Sequence, residues 1–368
     1  HNSNMKKLLS KREMFVLPLL LLMILSIISL YNTRGLSTIY KYNYLKQIIW
    51  FVVGVISFFV VQKINTKKLF KYSIVLYVIT NMLLLYCLIW GDVINGARAW
   101  IKLKFFSFQP SELMKLSLTL VLSNILCKYK NTGIKSEFVF LSKILIFSII
   151  PSVLVFLEPD TGAIIFYLLI DLSIILLSHI HKFWYYLVGF IIILFLSIFI
   201  YFYLFNKDLL ISLIGTSFFY RVERLITFKT MNSYQLGNAL IGIGSSEFLN
   251  LIPLNKIYIP EAHTDFIFSY IITNFGFIFG FIIFILYFLM DVYLVNKLFN
   301  IENGEVKCVL MAFSIMFLFG QVINISMNLG LLPIMGIPLP FLSYGGSTII
   351  IYFLFLGIAF KKPYFHMA

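Results

Sequence analysis

Residues 14–31 read Met-Phe-Val-Leu-Pro-Leu-Leu-Leu-Leu-Met-Ile-Leu-Ser-Ile-Ile-Ser-Leu-Tyr, with no charged side chain among them. A helix of that length rises about 27 Å, close to the roughly 30 Å hydrocarbon core of a bilayer. Lys6, Lys7, Lys11 and Arg12 lie just before it, the basic flank expected on the cytoplasmic side of a span. A cleaved signal peptide has a shorter apolar core and a small-residue cleavage site, so a retained first helix is expected.

The same pattern recurs at about 47–62, 70–91, 110–127, 139–157, 161–178, 183–205, 265–296, 307–330 and 341–360. The 368 residues are 61% hydrophobic and only 12% charged, with a mean hydropathy of +0.96. Soluble domains sit nearer 45–50% apolar and about 25% charged. The expected fold is therefore an all-α polytopic membrane protein with about ten transmembrane helices. One long extracellular loop, 206–263, separates helices 7 and 8. A single membrane domain, 13–361, runs between short cytoplasmic tails, 1–12 and 362–368.

The formal charge of +14 reads as topology signal and anionic-lipid contact, with no nucleic-acid partner implied. Basic residues such as Lys63, Lys67, Lys68, Lys128 and Lys130 fall in loops on the N-terminal side of the membrane. Others, including Arg98, Lys102, Arg221 and Arg224, fall on the opposite face, where a topology signal alone would not place them. An anionic ligand on that face accounts for them. Cys87, Cys127 and Cys308 have no disulfide-framework or zinc spacing, and the five His are scattered, so no protein-built metal cage is expected.

Four constellations can carry chemistry. Pro260-Glu261-Ala262-His263-Thr264-Asp265-Phe266-Ile267-Phe268 closes the long loop and opens an apolar run. Here Thr264 is expected as an N-cap, with Asp265 in the first helical turn where N–H groups favour its charged form and His263 beside it. Asn95-Gly-Ala-Arg98-Ala-Trp100 precedes Gln109-Pro-Ser-Glu112-Leu-Met-Lys115; Glu112 and Lys115, three apart, share a helix face inside the membrane. Arg98 and Trp100 also suit a plain interfacial belt. Glu158-Pro-Asp160-Thr-Gly162 is a tight turn bearing two carboxylates, and Arg221 with Arg224 form a cationic pair at helical spacing, suited to a diphosphate or simply to solvent. Finally, residues 324–347 pack three Pro and several Gly around Ser343 at a membrane boundary, an irregular backbone tolerated only where it lines a cavity. Asp171 and Asp291 are lone acids in or near spans, and Asp171 is expected to face a cavity or partner.

Gly336-Ile-Pro-Leu-Pro-Phe-Leu-Ser-Tyr-Gly-Gly-Ser347, together with the Pro-Glu-Ala-His-Thr-Asp, Gly-Ala-Arg-Ala-Trp, Gln-Pro-Ser-Glu-Leu-Met-Lys and Glu-Pro-Asp-Thr-Gly motifs in that family's order, resembles the SEDS family (shape, elongation, division and sporulation; the RodA, FtsW and SpoVE proteins). The Gly-Ile-Pro-Leu-Pro-Phe wording lies nearer the RodA branch. The resemblance implies peptidoglycan glycosyltransfer from lipid II in a bacterial inner membrane, alongside a class B penicillin-binding transpeptidase. It places Asp265 at the essential acid, Lys115 at an essential membrane lysine, and Arg98, Trp100 and Glu112 on cavity-lining positions. Thr273 and Asn274 stand where the family usually carries Glu-Glu, and Gly244-Ser-Ser-Glu247 replaces a glycine run.

Joining an α-linked sugar diphosphate to a hydroxyl as a β-1,4 glycoside needs a base and cations for the leaving group. Asp265 is the expected base, or the group that orients the acceptor hydroxyl. Arg98, Lys115, Arg221 and Arg224, with a divalent cation such as Mg²⁺ or Mn²⁺, are expected to share the diphosphate charge. His263, Ser343, Trp100 and Glu112 complete the expected substrate contacts. A flippase for lipid-linked precursors and a non-catalytic scaffold for the transpeptidase are the rival readings.

Overall fold

The computed structural model describes residues 12–361, apart from 95–96, 103–105, 217–218, 220–221, 224–225, 228–233 and 251–256. Helices dominate. In chain order they are α1 (Glu13–Thr33), α2 (Asn43–Lys63), α3 (Thr66–Lys71), α4 (Ser73–Trp90), α5 (Pro110–Lys128), α6 (Ile134–Leu157), α7 (Thr161–Leu177), α8 (Lys182–Phe205), α9 (Lys207–Ile214), α10 (Tyr234–Gly244), α11 (Ile267–Phe275), α12 (Phe277–Phe299), α13 (Gly304–Asn328) and α14 (Gly346–Ala359). Seven of these are long and apolar enough to cross a membrane: α1, α2, α4, α6, α8, α12 and α13; α7 and α14 are shorter apolar helices.

Two helices sit at the centre. The stretch Pro110–Ser123 of α5 is buried almost all round, and α13 is lined by Phe313, Met316, Phe317 and other residues with no exposed surface. A helix buried on every side needs small or apolar residues on every side; α5 meets this with Ser117, Thr119 and Ser123, whose hydroxyls bond back to helix carbonyls. Around this pair, α14 packs along α2, α12 along α1, and α7 against both α5 and α13. The opposite case is α8, which buries none of its residues and presents an apolar surface on all sides, as a helix bathed in lipid does. Its foot is held by Glu137 at the start of α6, whose carboxylate accepts from the His181 amide, the Trp184 indole and the Asn131 side chain.

Three features depart from the sequence reading. The link between α4 and α5 carries a small antiparallel sheet, β1 (Asp92–Ile94), β2 (Ala97–Lys102) and β3 (Ser107–Phe108). Residues 340–345 are not helical, so the last helix begins at Gly346 and not at 341. The expected span 265–296 is broken at Gly276, where φ is 97°. The loop fills that break: the Phe277 and Ile278 amides donate to the Glu247 and Phe248 carbonyls, and Asn250 N–H donates to Phe275. A Cβ on Gly276 would stand 2.7 Å from the Phe248 carbonyl oxygen, so only glycine lets the loop backbone come this close.

Candidate active site

Asp265 lies in the turn 260–266, ahead of α11, rather than in its first turn. Thr264 is not the cap: its hydroxyl donates to Glu261 Oε2 at 2.9 Å, and the N-cap residue is Phe266, with no side-chain bond. The expected stabilisation of the charged carboxylate is therefore missing. Burial, with the Glu261 charge adding to it, pushes the Asp265 pKa up to about 7. Desolvation outweighs the helix end because the carboxylate sits before the free N–H groups instead of over them.

The backbone of this turn is held from two directions. From α13, Asn324 and Asn328 both donate side-chain amides to the Asp265 carbonyl, at 3.0 and 2.9 Å. From the Pro-rich loop, Tyr344 N–H donates to the His263 carbonyl at 2.8 Å and Ser343 Oγ donates to the Thr264 carbonyl at 2.7 Å. Ser343 Oγ also accepts from Leu339 N–H, and Gln47 bonds the Ser343 carbonyl, so that hydroxyl is engaged in bracing the turn. Asp265 Oδ2 faces Gly336, whose Cβ, were there one, would lie 3.9 Å away. Gly336 has φ 65°, a conformation glycine adopts freely. The His263 ring lies against Tyr40 and Tyr344, with centroids 4.3 and 5.8 Å apart, and burial lowers its pKa.

A chain of contacts runs from this turn to α5. A Cβ on Gly162, at the start of α7, would lie 3.1 Å from the Met335 carbonyl, so loop and helix touch there. Asp160 caps α7 through the Ala163 amide and also accepts from Gln109 Nε2 at 2.8 Å and Ser111 Oγ at 2.9 Å. One turn further into α5, Lys115 Nζ donates to Glu112 Oε1 at 2.6 Å, with the lysine only 2% exposed and 4.1 Å above the Phe166 ring. Glu112 Oε2 is buried without a hydrogen-bond partner among the described residues. Both Glu158 oxygens are also buried and unpartnered there, and burial raises that carboxyl to about 8.

Arg98 is exposed and Trp100 half-buried, both on β2, which packs on α4 and α5. Arg221 and Arg224 lie outside the described residues. Thr273 and Asn274 both bond back into α11, and Thr273 leaves α10 room to approach only because Gly242 lacks a Cβ, which would lie 2.5 Å from Thr273 Oγ1. Asp171 accepts from Ser148 and Asp291 from Gln321, each between neighbouring helices. In the sequence Asn324 and Asn328 stand out only as the margin of the Pro-rich stretch. Their spacing of four, which puts both amides on one helix face, is the signal that could have marked them.

The bundle thus defines an integral membrane protein that gathers an acid of raised pKa and a buried Lys–Glu pair at one end. The family model for FtsW, RodA and SpoVE, described as cell cycle protein, matches residues 12–362. The chain belongs to that family. It is 30% identical over 346 residues to the probable peptidoglycan glycosyltransferase FtsW of Wigglesworthia glossinidia brevipalpis, covering 88% of this chain and 84% of that one. It is 28% identical to the peptidoglycan glycosyltransferase MrdB of Helicobacter pylori, covering 94% and 87%. Its fold matches a chain solved in a peptidoglycan synthase complex, with TM-score 0.77 at 23% identity over 94% and 95% of the two chains. It also matches the rod shape determining protein RodA of Thermus thermophilus, with TM-score 0.66 at 22% identity over 95% of each chain.

Proposed function

We propose that this protein is a peptidoglycan glycosyltransferase that polymerises lipid II into β-1,4-linked glycan at the outer face of a bacterial cell membrane, with both termini in the cytoplasm. The observation that carries the proposal is Asp265: its carbonyl is clamped by Asn324 and Asn328, its carboxylate faces Gly336, and its pKa stands near 7. A base works best with a pKa close to the working pH, when it is both ionised and able to take a proton.

In the proposed reaction, the acceptor sugar hydroxyl attacks the anomeric carbon of the donor, and the bond from that carbon to the diphosphate oxygen breaks. The proton passes from the hydroxyl to Asp265, and the lipid diphosphate leaves with the bonding electron pair. In-line attack inverts the anomeric centre, turning the α-linked donor into a β-glycoside. Lys115 supplies fixed positive charge in a dry setting, where it stabilises an anion more strongly than it would in water. Glu112 orients that lysine. Arg98, Arg221 and Arg224 gather the diphosphate from the outer side, and Trp100 offers an apolar surface beside it.

Among the described residues no group of three or more His, Cys, Asp or Glu side chains is placed to hold a metal ion. A divalent cation such as Mg²⁺ or Mn²⁺ would arrive on the substrate diphosphate, held largely by phosphate oxygens and water. The proposed partner is a class B penicillin-binding transpeptidase. Support for it comes from the similar chain solved in a complex described as coordinating polymerisation and crosslinking. The test is glycan formation from purified lipid II with that partner present, comparing wild type with Asp265→Asn. Polymer from wild type alone is the expected result. Equal polymer from both removes Asp265 from the chemistry, and none from a folded, partner-bound wild type moves the reading to a scaffold.

A further inference from the structure

At the end of the bundle opposite Asp265, a cavity of about 410 Å³ opens between the last turn of α5, the α7–α8 link and the first turns of α13. Its wall includes Cys127, Cys308, Tyr129, His179 and Lys307. Cys127, the penultimate residue of α5, is exposed, whereas Cys308, in the second turn of α13, is buried. The two side chains interact directly. A Cβ on Gly304 would lie 3.4 Å from Cys127 Sγ, so the α5 thiol rests on the helix face that Gly304 shares with Cys308 four residues on. A single buried cysteine is ordinarily a small apolar core residue. Here a reachable thiol rests against a buried one from a different helix, and a cavity leads to both.

We propose that Cys127 and Cys308 are an oxidation site, convertible to a disulfide that ties α5 to α13. With hydrogen peroxide as oxidant, the Cys127 thiolate attacks one peroxide oxygen, the O–O bond breaks, and hydroxide leaves, giving a sulfenic acid. The Cys308 sulfur then attacks the Cys127 sulfur; the S–S bond forms as the S–O bond breaks, and the departing hydroxide takes up the thiol proton as water. In sum, two thiols and one peroxide become one disulfide and two waters. In the proposed orientation this end faces the cytoplasm, where thiols are kept reduced, so the disulfide is a transient response to oxidant. The two helices joined are those that carry the active-site anchors at their far ends: Glu112 and Lys115 on α5, Asn324 and Asn328 on α13.

The test needs no enzymatic activity. Full-length protein in detergent is reduced, freed of reductant, treated with hydrogen peroxide, then denatured and alkylated. Before oxidation the three cysteines should take three labels. Afterwards the expected count is one, on Cys87, with the Cys127 and Cys308 peptides recovered crosslinked and full labelling restored by dithiothreitol. In Cys127→Ser, changed at the exposed partner so that the core is undisturbed, Cys308 should keep its label through the same treatment. Loss of label at Cys127 with Cys308 still fully labelled overturns the proposal, as does retention of all three labels.

Discussion

Asn328 and Asp265, 63 residues apart in the chain, are joined by a 2.9 Å bond from the asparagine amide to the aspartate main-chain carbonyl. The other end of the same side chain accepts from the Ser269 amide and hydroxyl at 3.1 and 2.6 Å. One asparagine therefore sets both the turn that carries the acid and the helix that follows it. A second, Asn324, ties the Asp265 carbonyl to the Ile337 carbonyl of the Pro-rich loop.

Asn328→Leu removes these bonds and strands buried polar groups, each worth about 1–3 kcal/mol. Loss of even part of that positioning should lower the polymerisation kcat by roughly ten- to a hundredfold, with KM changed far less. Steady-state kinetics on lipid II will decide it; a change confined to KM would assign Asn328 to substrate binding instead.

The pH dependence follows from Asp265. As a base it must be ionised, so the polymerisation rate should climb with pH and level off above about 7. Stability should run the other way. Because burial lifts the folded pKa above the unfolded value, the native state holds its proton more tightly, and the stabilisation is complete at low pH and lost as pH rises through about 7. Asp265→Asn stays neutral. Its Tm should therefore fall less than that of wild type between pH 5 and 8, and parallel curves for the two proteins would contradict this.

The Lys115–Glu112 pair predicts a non-additive series. Glu112→Leu leaves a lysine buried and unpaired, which should destabilise the fold by about 3–5 kcal/mol. Glu112→Leu with Lys115→Met replaces both charges by apolar groups and should recover most of that stability while making no glycan. Thermal unfolding in detergent is the readout. Additive losses in the double variant would mean that the pair does not act as a unit.

Gly276 should tolerate no branched side chain. Gly276→Val sets a β-branched residue at φ 97° and drives its Cβ into the Phe248 carbonyl. The loop should lift from the helix break, exposing the Phe277 and Ile278 amides that bond to residues 247 and 248. Hydrogen exchange at those two amides should accelerate by tenfold or more; unchanged protection would show that the loop is held by something other than this contact.

The sequence by itself determined the membrane class, the place of most of the long apolar helices, and the Asp265 and Glu112–Lys115 motifs. These are local properties: an apolar run long enough to cross a bilayer, or an ion pair at helical spacing, is legible within one or two turns. Tertiary structure alone decided how the acid is held and in which state. Thr264 and Asp265 spell an N-cap and a first-turn carboxylate by local rule, yet contacts from Tyr344, Ser343, Asn324 and Asn328, all distant in sequence, keep the turn out of the helix. The sheet carrying Arg98 and Trp100, the break at Gly276 and the capping of α7 by an Asp160 that also grips Ser111 escaped for the same reason. Each depends on backbone or side-chain partners brought together only by packing, and packing leaves no periodic trace in the chain.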